Sequence, residues 1–212
     1  MSVLIESGST VLFQGDSITD WGRVYDDPAS LGPGYAGLVA ERFAARCPDR
    51  AVTFMNRGIS GHRVCDLQAR WQADCIDLRP DWVSILIGIN DMWRRYDSND
   101  PTSPEAFEAT YRSILTDVRE KLDARLILCE PFLLPVRPEL DPWRGEDLDP
   151  KIHVVRRLAR EFEAIYIPFD GLFAAAATQA PPAAWAEDGV HPTEAGHSLM
   201  ADAWLRAVGL EG

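Results

Sequence analysis

Apolar residues come in short runs closed by Gly, Pro or Asp at 11–13, 52–55, 82–87, 126–129 and 165–167, each the length of a buried strand. Between these runs the apolar positions recur with helical period, over 35–45, 64–76, 104–122 and 152–162. In the second of these stretches the apolar positions are Val64, Leu67, Trp71 and Cys75. Ser103 ahead of Pro104 and Glu105 is an N-cap with proline in the first helical position. Thr193 followed by Glu194 opens a last helix that runs toward Val208, and Gly209 suits its end.

Alternation of strand and helix implies a parallel sheet covered on both faces, because right-handed crossovers return each helix across the sheet. The predicted fold is α/β, a flavodoxin-like three-layer α/β/α sandwich with a five-stranded parallel sheet. Ligands of such folds bind beyond the carboxyl ends of the strands, where the strand order reverses, so chemistry is expected in the loops after the strands. Residues 131–150, rich in Pro, Asp and Glu, are too long for an ordinary connection and read as a surface excursion near that rim.

A chain of 212 residues with 46% hydrophobic content suits one domain over residues 1–212. A net charge of -12 repels phosphate backbones and anionic membranes, which argues against nucleic acid or membrane as partner. The first ten residues lack the charged start and apolar run of a secretory signal, and charged residues interrupt every apolar stretch long before membrane-spanning length. A cytoplasmic protein is expected. Cys47, Cys65, Cys75 and Cys129 have no metal-site spacing and are read as reduced thiols, mostly in the core.

Gly15-Asp16-Ser17-Ile18-Thr19-Asp20 follows the first strand and places a serine hydroxyl where the chain turns. Alone, Ser17 reads first as a helix cap or a loop hydroxyl, and further residues are needed to make it a nucleophile. A serine attacks a carbonyl only when a base takes its proton, and an imidazole held by a carboxylate serves best. His191 in Asp188-Gly189-Val190-His191-Pro192, just before the last helix, has that carboxylate three residues upstream. The oxyanion of acyl transfer needs hydrogen-bond donors, which Gly61 after the second strand and Asn90 after the third can supply. Gly61 as a turn glycine and Asn90 as an Asx-turn residue are the structural alternatives.

Taken together, Gly15-Asp16-Ser17, Gly61 in Asn56-Arg57-Gly58-Ile59-Ser60-Gly61, Gly88-Ile89-Asn90-Asp91 and Asp188-Gly189-Val190-His191 resemble, in order and spacing, the four blocks of the SGNH (GDSL-like) hydrolases. Within that superfamily, the stretch from Leu12 to Asp20, Pro80-Asp81-Trp82-Val83-Ser84 and Ile87-Gly88-Ile89-Asn90-Asp91 with Trp93 and Tyr96 are most similar to the intracellular acetylxylan esterases. The resemblance implies a serine esterase that removes acetyl groups from short xylo-oligosaccharides without metal or organic cofactor, and self-association into a homo-oligomer. It makes Ser17 the nucleophile and, through its N–H, the first oxyanion donor, Gly61 the second and Asn90 the third. His191 is then the base and Asp188 its orienter, with Asp16 and Asp91 as supports behind them. His62, where many relatives carry Asp or Asn, is a departure and is placed at the rim of the site, while His153 and His197 are read as structural.

Of seven tryptophans, Trp71, Trp82 and Trp204 fit core positions, whereas Trp21, Trp93, Trp143 and Trp185 fall in segments expected at the rim. Trp93, Tyr96 and Trp185 are the expected sugar-binding walls. A general carboxylesterase, thioesterase or lysophospholipase would use the same triad. A flavin-binding module with its phosphate on the loop at Ser17, Ile18 and Thr19 is the rival of another class, and it gives Asp188 and His191 no task.

Overall fold

The computed structural model describes residues 3–210. Five parallel strands, β1 (Thr10–Gly15), β2 (Thr53–Asn56), β3 (Trp82–Leu86), β4 (Arg125–Cys129) and β5 (Ile165–Ile167), form one sheet in the order β2-β1-β3-β4-β5. All five runs read from the sequence are strands. The side-chain alternation of β3 shows why both faces must be covered: Val83 and Ile85 belong to one apolar cluster, Trp82 and Leu86 to the other.

After the one-turn α1 (Ser17–Asp20) come α2 (Tyr35–Arg46), α3 (Val64–Trp71), α4 (Ile89–Asp97), α5 (Pro104–Lys121), α6 (Asp141–Trp143), α7 (Asp149–Glu161), α8 (Phe169–Ala176) and α9 (Glu194–Ala207). Phe43 of α2, Phe173 of α8 and Trp204 of α9 pack into one cluster, and Leu67 of α3, Tyr111 of α5 and Leu158 of α7 into the other. Each such side chain, withdrawn from water, contributes roughly 2 kcal/mol. The one polar residue inside β3, Ser84, is satisfied by the Trp204 indole N–H at 3.0 Å. Trp71, Trp82 and Trp204 are buried as expected.

Two local readings are corrected. Residues 89–97, read as a loop, form α4; Gly88 enters it at φ +128°, and Ile89, Met92, Trp93 and Tyr96 keep the helical spacing that turn-forming Gly88, Asn90 and Asp91 obscure. Residues 131–150 are not a surface excursion. Phe132, Leu133, Leu134, Leu140 and Leu148 are buried, and the segment coils through Pro138–Leu140, α6 and a π-turn, Arg144–Leu148, into α7, three residues earlier than the expected start at 152. Of the cysteines, Cys75 and Cys129 are buried, Cys47 is half-buried and Cys65 exposed, because Val64, Leu67 and Trp71 claim the inner face of α3. Residues 72–76 continue α3 as a wider π-turn. Among the described residues no helix is long and apolar enough to cross a membrane.

Candidate active site

The strand order reverses at β1, whose chain neighbour β2 lies on one side while β3 lies on the other, so the loops after β1 and β3 part and open a crevice. Ser17 follows β1, and Asn90 follows β3. The turn at Ser17 depends on Gly15, since a methyl group there would come within 2.3 Å of the Thr19 hydroxyl and 2.5 Å of the Leu86 carbonyl oxygen. Asp16 caps α1 by accepting the Ile18 N–H at 3.0 Å. Asn56, buried at the end of β2, braces the same turn, donating to the carbonyls of Thr19 (2.6 Å) and Leu31 (2.9 Å) while accepting the Gly58 N–H (2.8 Å).

Asp188 turns the chain on itself. Its Oδ1 accepts the N–H groups of Val190 (2.9 Å) and His191 (2.7 Å), and its Oδ2 is left for His191 Nδ1 at 2.7 Å. Burial pushes the Asp188 carboxyl up, but the bonds from the His191 ring and the two backbone N–H groups outweigh it and hold the group well below the usual carboxylate range. An ionised carboxylate only accepts, so Nδ1 carries the imidazole proton and Nε2 is a lone pair. That lone pair faces Ser17 Oγ at 2.9 Å. The bond to Asp188 raises the His191 pKa above its ordinary 6.5, against burial, which lowers it. The loop is anchored by Leu134 N–H on the Gly189 carbonyl (2.8 Å) and by Thr193, which caps α9.

Across the crevice, α4 meets the 61–64 turn residue by residue. Asn90 donates its amide to the His62 carbonyl (3.1 Å), Asp91 accepts the Val64 N–H (3.1 Å), and the Arg94 guanidinium lies over Gly61, where an added methyl group would sit 3.3 Å from it. Gly61 has φ +81°, a conformation that costs a residue with a side chain roughly 1–2 kcal/mol. Asp16 and Asp91 are both buried, and burial pushes both carboxyls up to about 7.

The structure brings Ser17, Asp188 and His191 into one hydrogen-bonded chain and sets Asn90 against the Gly61 turn. The His62 ring accepts the Arg70 Nε–H at 3.2 Å, burial and then that cation lower its pKa, and its carbonyl meets Asn90. His197 is buried in α9, takes the Tyr35 N–H on Nδ1 (3.1 Å) and is pushed down by burial to about 4. His153 is exposed on α7.

Trp93 stands with its ring 6.1 Å from that of His191, whereas Tyr96 stacks on Trp143 at 4.5 Å, one row back. Trp185 is half-buried against the core, and the cavity beside His191 is walled instead by Trp21, Ala184, Glu187 and Glu194. That cavity measures about 670 Å³. Trp21, read only as a rim residue, is held at φ +24° with its ring 6.1 Å from His191 and 4.6 Å from His197. Such a backbone angle at a non-glycine residue marks it as fixed by its surroundings. Among the described residues no group of three or more His, Cys, Asp or Glu is arranged to hold a metal ion.

Residues 13–199 match the GDSL-like lipase/acylhydrolase family. The chain is 39% identical to an acetylxylan esterase of Geobacillus stearothermophilus, over 98% of this chain and 97% of that protein. The crystal structure of that enzyme superposes with a TM-score of 0.91, and further structures of it carry alanine in place of a serine, a histidine or an aspartate as catalytic variants. A protein of Parabacteroides merdae assigned to the GDSL-like lipases is similar over the full length of both chains, with 35% identity and a TM-score of 0.94.

Proposed function

The chain belongs to the GDSL-like lipase/acylhydrolase family and is a carboxylic ester hydrolase, and on that premise we propose that it removes acetyl groups from xylo-oligosaccharides through an acyl-serine intermediate. The observation that carries the mechanism is the chain from Ser17 Oγ to His191 Nε2 (2.9 Å) and from His191 Nδ1 to Asp188 Oδ2 (2.7 Å). Ser17 attacks the acetyl carbonyl while Nε2 takes its proton, and Asp188 stabilises the imidazolium that results. The N–H groups of Ser17 and Gly61 and the amide of Asn90 receive the oxyanion, each worth about 3 kcal/mol of barrier. Collapse expels the sugar oxygen, which takes the proton back from His191. Water, deprotonated by the same imidazole, then releases acetate from Ser17.

The acetylated sugar is supported by the relatives' activity and by the aromatic surroundings of His191. Trp21 and Trp93 both lie 6.1 Å from its ring, and flat apolar faces of this kind suit pyranose rings. Acetylated xylo-oligosaccharides incubated with the protein should release acetate, a serine-directed fluorophosphonate should label Ser17 alone, and Ser17→Ala should abolish both with an unchanged fold. Near wild-type hydrolysis by Ser17→Ala would refute the triad. Preference for acyl chains of about eight carbons or more would favour a lipase or thioesterase instead.

A further inference from the structure

The geometry points to Arg94 as the residue that limits the acyl group to acetate, an inference that rests on the esterase reading above. A tetrahedral intermediate on Ser17 has four bonds: to Ser17 Oγ, to the oxyanion, to the leaving oxygen and to the acyl chain. His191 must protonate the leaving oxygen, so the alcohol lies on the His191 side. The cavity of about 670 Å³ opens there, and its walls come from Trp21 and from residues 184–195. Neither Asn90 nor Arg94 nor any residue of the 61–64 turn lines it. With the oxyanion turned toward Gly61 and Asn90, the acyl chain is left to run along the edge formed by those two residues.

Arg94 occupies that edge. Its position four residues after Asn90 sets both on the same face of α4, one turn apart. Asn90 meets the carbonyl of His62, and Arg94 reaches the preceding residue, where its Nη2 is 3.3 Å from the place a methyl group on Gly61 would take. The side chain is held from both ends. Its other guanidinium nitrogen is paired with Asp97 one turn later, and its own carbonyl closes α4 by accepting the N–H groups of Ser98 (3.2 Å) and Asp100 (2.9 Å). Asp100 is in turn paired with Arg63 at 2.7 Å, which ties the end of α4 to the start of α3. An acyl chain longer than acetyl that follows this edge has to displace an ion-paired cation and bury methylene groups against it.

The test is the ratio of kcat/KM for p-nitrophenyl butyrate to that for p-nitrophenyl acetate. Arg94→Ala should raise this ratio about fifteenfold, because a butyryl chain gains two methylene groups of apolar contact once the cation is gone, each worth a factor of about four. Arg94→Lys, which keeps the reach and the charge, should stay within about twofold of wild type. Should Arg94→Ala fail to fold, Arg94→Gln keeps the stem along α4, stops short of Gly61, and should still raise the ratio severalfold. An unchanged ratio in the truncated variants, or an equal loss on both esters, would assign Arg94 to bracing the turn or to oxyanion electrostatics and overturn the inference. Such a result leaves the esterase reading intact, since acetate release by wild type tests that separately; hydrolysis of neither ester by wild type would overturn both.

Discussion

The side-chain amide of Asn90 donates to the main-chain carbonyl of His62 at 3.1 Å. A primary amide has two N–H groups, so one fixes the chain next to Gly61 and the other remains for the oxyanion. Asn90 therefore sets its own orientation and that of the neighbouring donor through a single bond, and Asp91 repeats the contact two residues on by accepting the Val64 N–H.

Replacing Asn90 by Ala should lower kcat for p-nitrophenyl acetate by roughly 10²- to 10³-fold, the usual effect of removing one side-chain oxyanion donor. Loss of the bond to His62 should cost about 1 kcal/mol of stability, read as a lower melting temperature. His191→Ala should be far more damaging to kcat and should not add to Ser17→Ala, because the two act as a unit. Normal turnover by Asn90→Ala would leave Asn90 with the turn alone.

The pH dependence follows from His191, whose neutral form is the base. Hence kcat/KM should rise with pH through a single midpoint above 6.5, since the bond to Asp188 raises the histidine. Asp188→Asn should move that midpoint down and lower kcat by roughly 10⁴-fold, because the imidazole loses both its tautomer and its counter-charge. Folding responds in a different sense. The raised His191 contributes stability that is complete below 6.5 and fades as pH climbs through the folded value, while the lowered Asp188 contributes stability above 3.8 that fades as pH falls. A pH–rate profile flat from about pH 5 to about 9 would exclude a histidine base.

Trp21 and Trp93 flank the His191 ring at equal distance, on opposite segments of the chain. Alanine at either position should lower kcat/KM for acetylated xylo-oligosaccharides about 10-fold more than for p-nitrophenyl acetate, since remote binding energy is lost only for the substrate that supplies it. Trp185→Ala should affect both substrates alike, through packing, because Trp185 lies against the core. Equal losses for Trp21→Ala would remove it from the sugar site.

The sequence alone determined the sheet, because a strand buried on both faces is written as an uninterrupted apolar run and a crossover helix as a 3.6-residue period. It also singled out Ser17, Gly61, Asn90, Asp188 and His191, since short loops after strands must carry their chemistry within a few residues. Even α4 and α8 had legible signals, in Ile89, Met92, Trp93 and Tyr96 and in Phe169 and Phe173, masked by turn-forming neighbours. What only the tertiary structure decided is how distant segments face each other. Trp21 rather than Trp185 walls the cavity beside His191, the His62 ring turns to Arg70, and the 131–150 segment folds under the triad loop with Leu134 on Gly189. The orientation of a loop side chain is set by partners from eight to more than a hundred residues away, brought together only by the fold, and composition and spacing carry no record of that meeting.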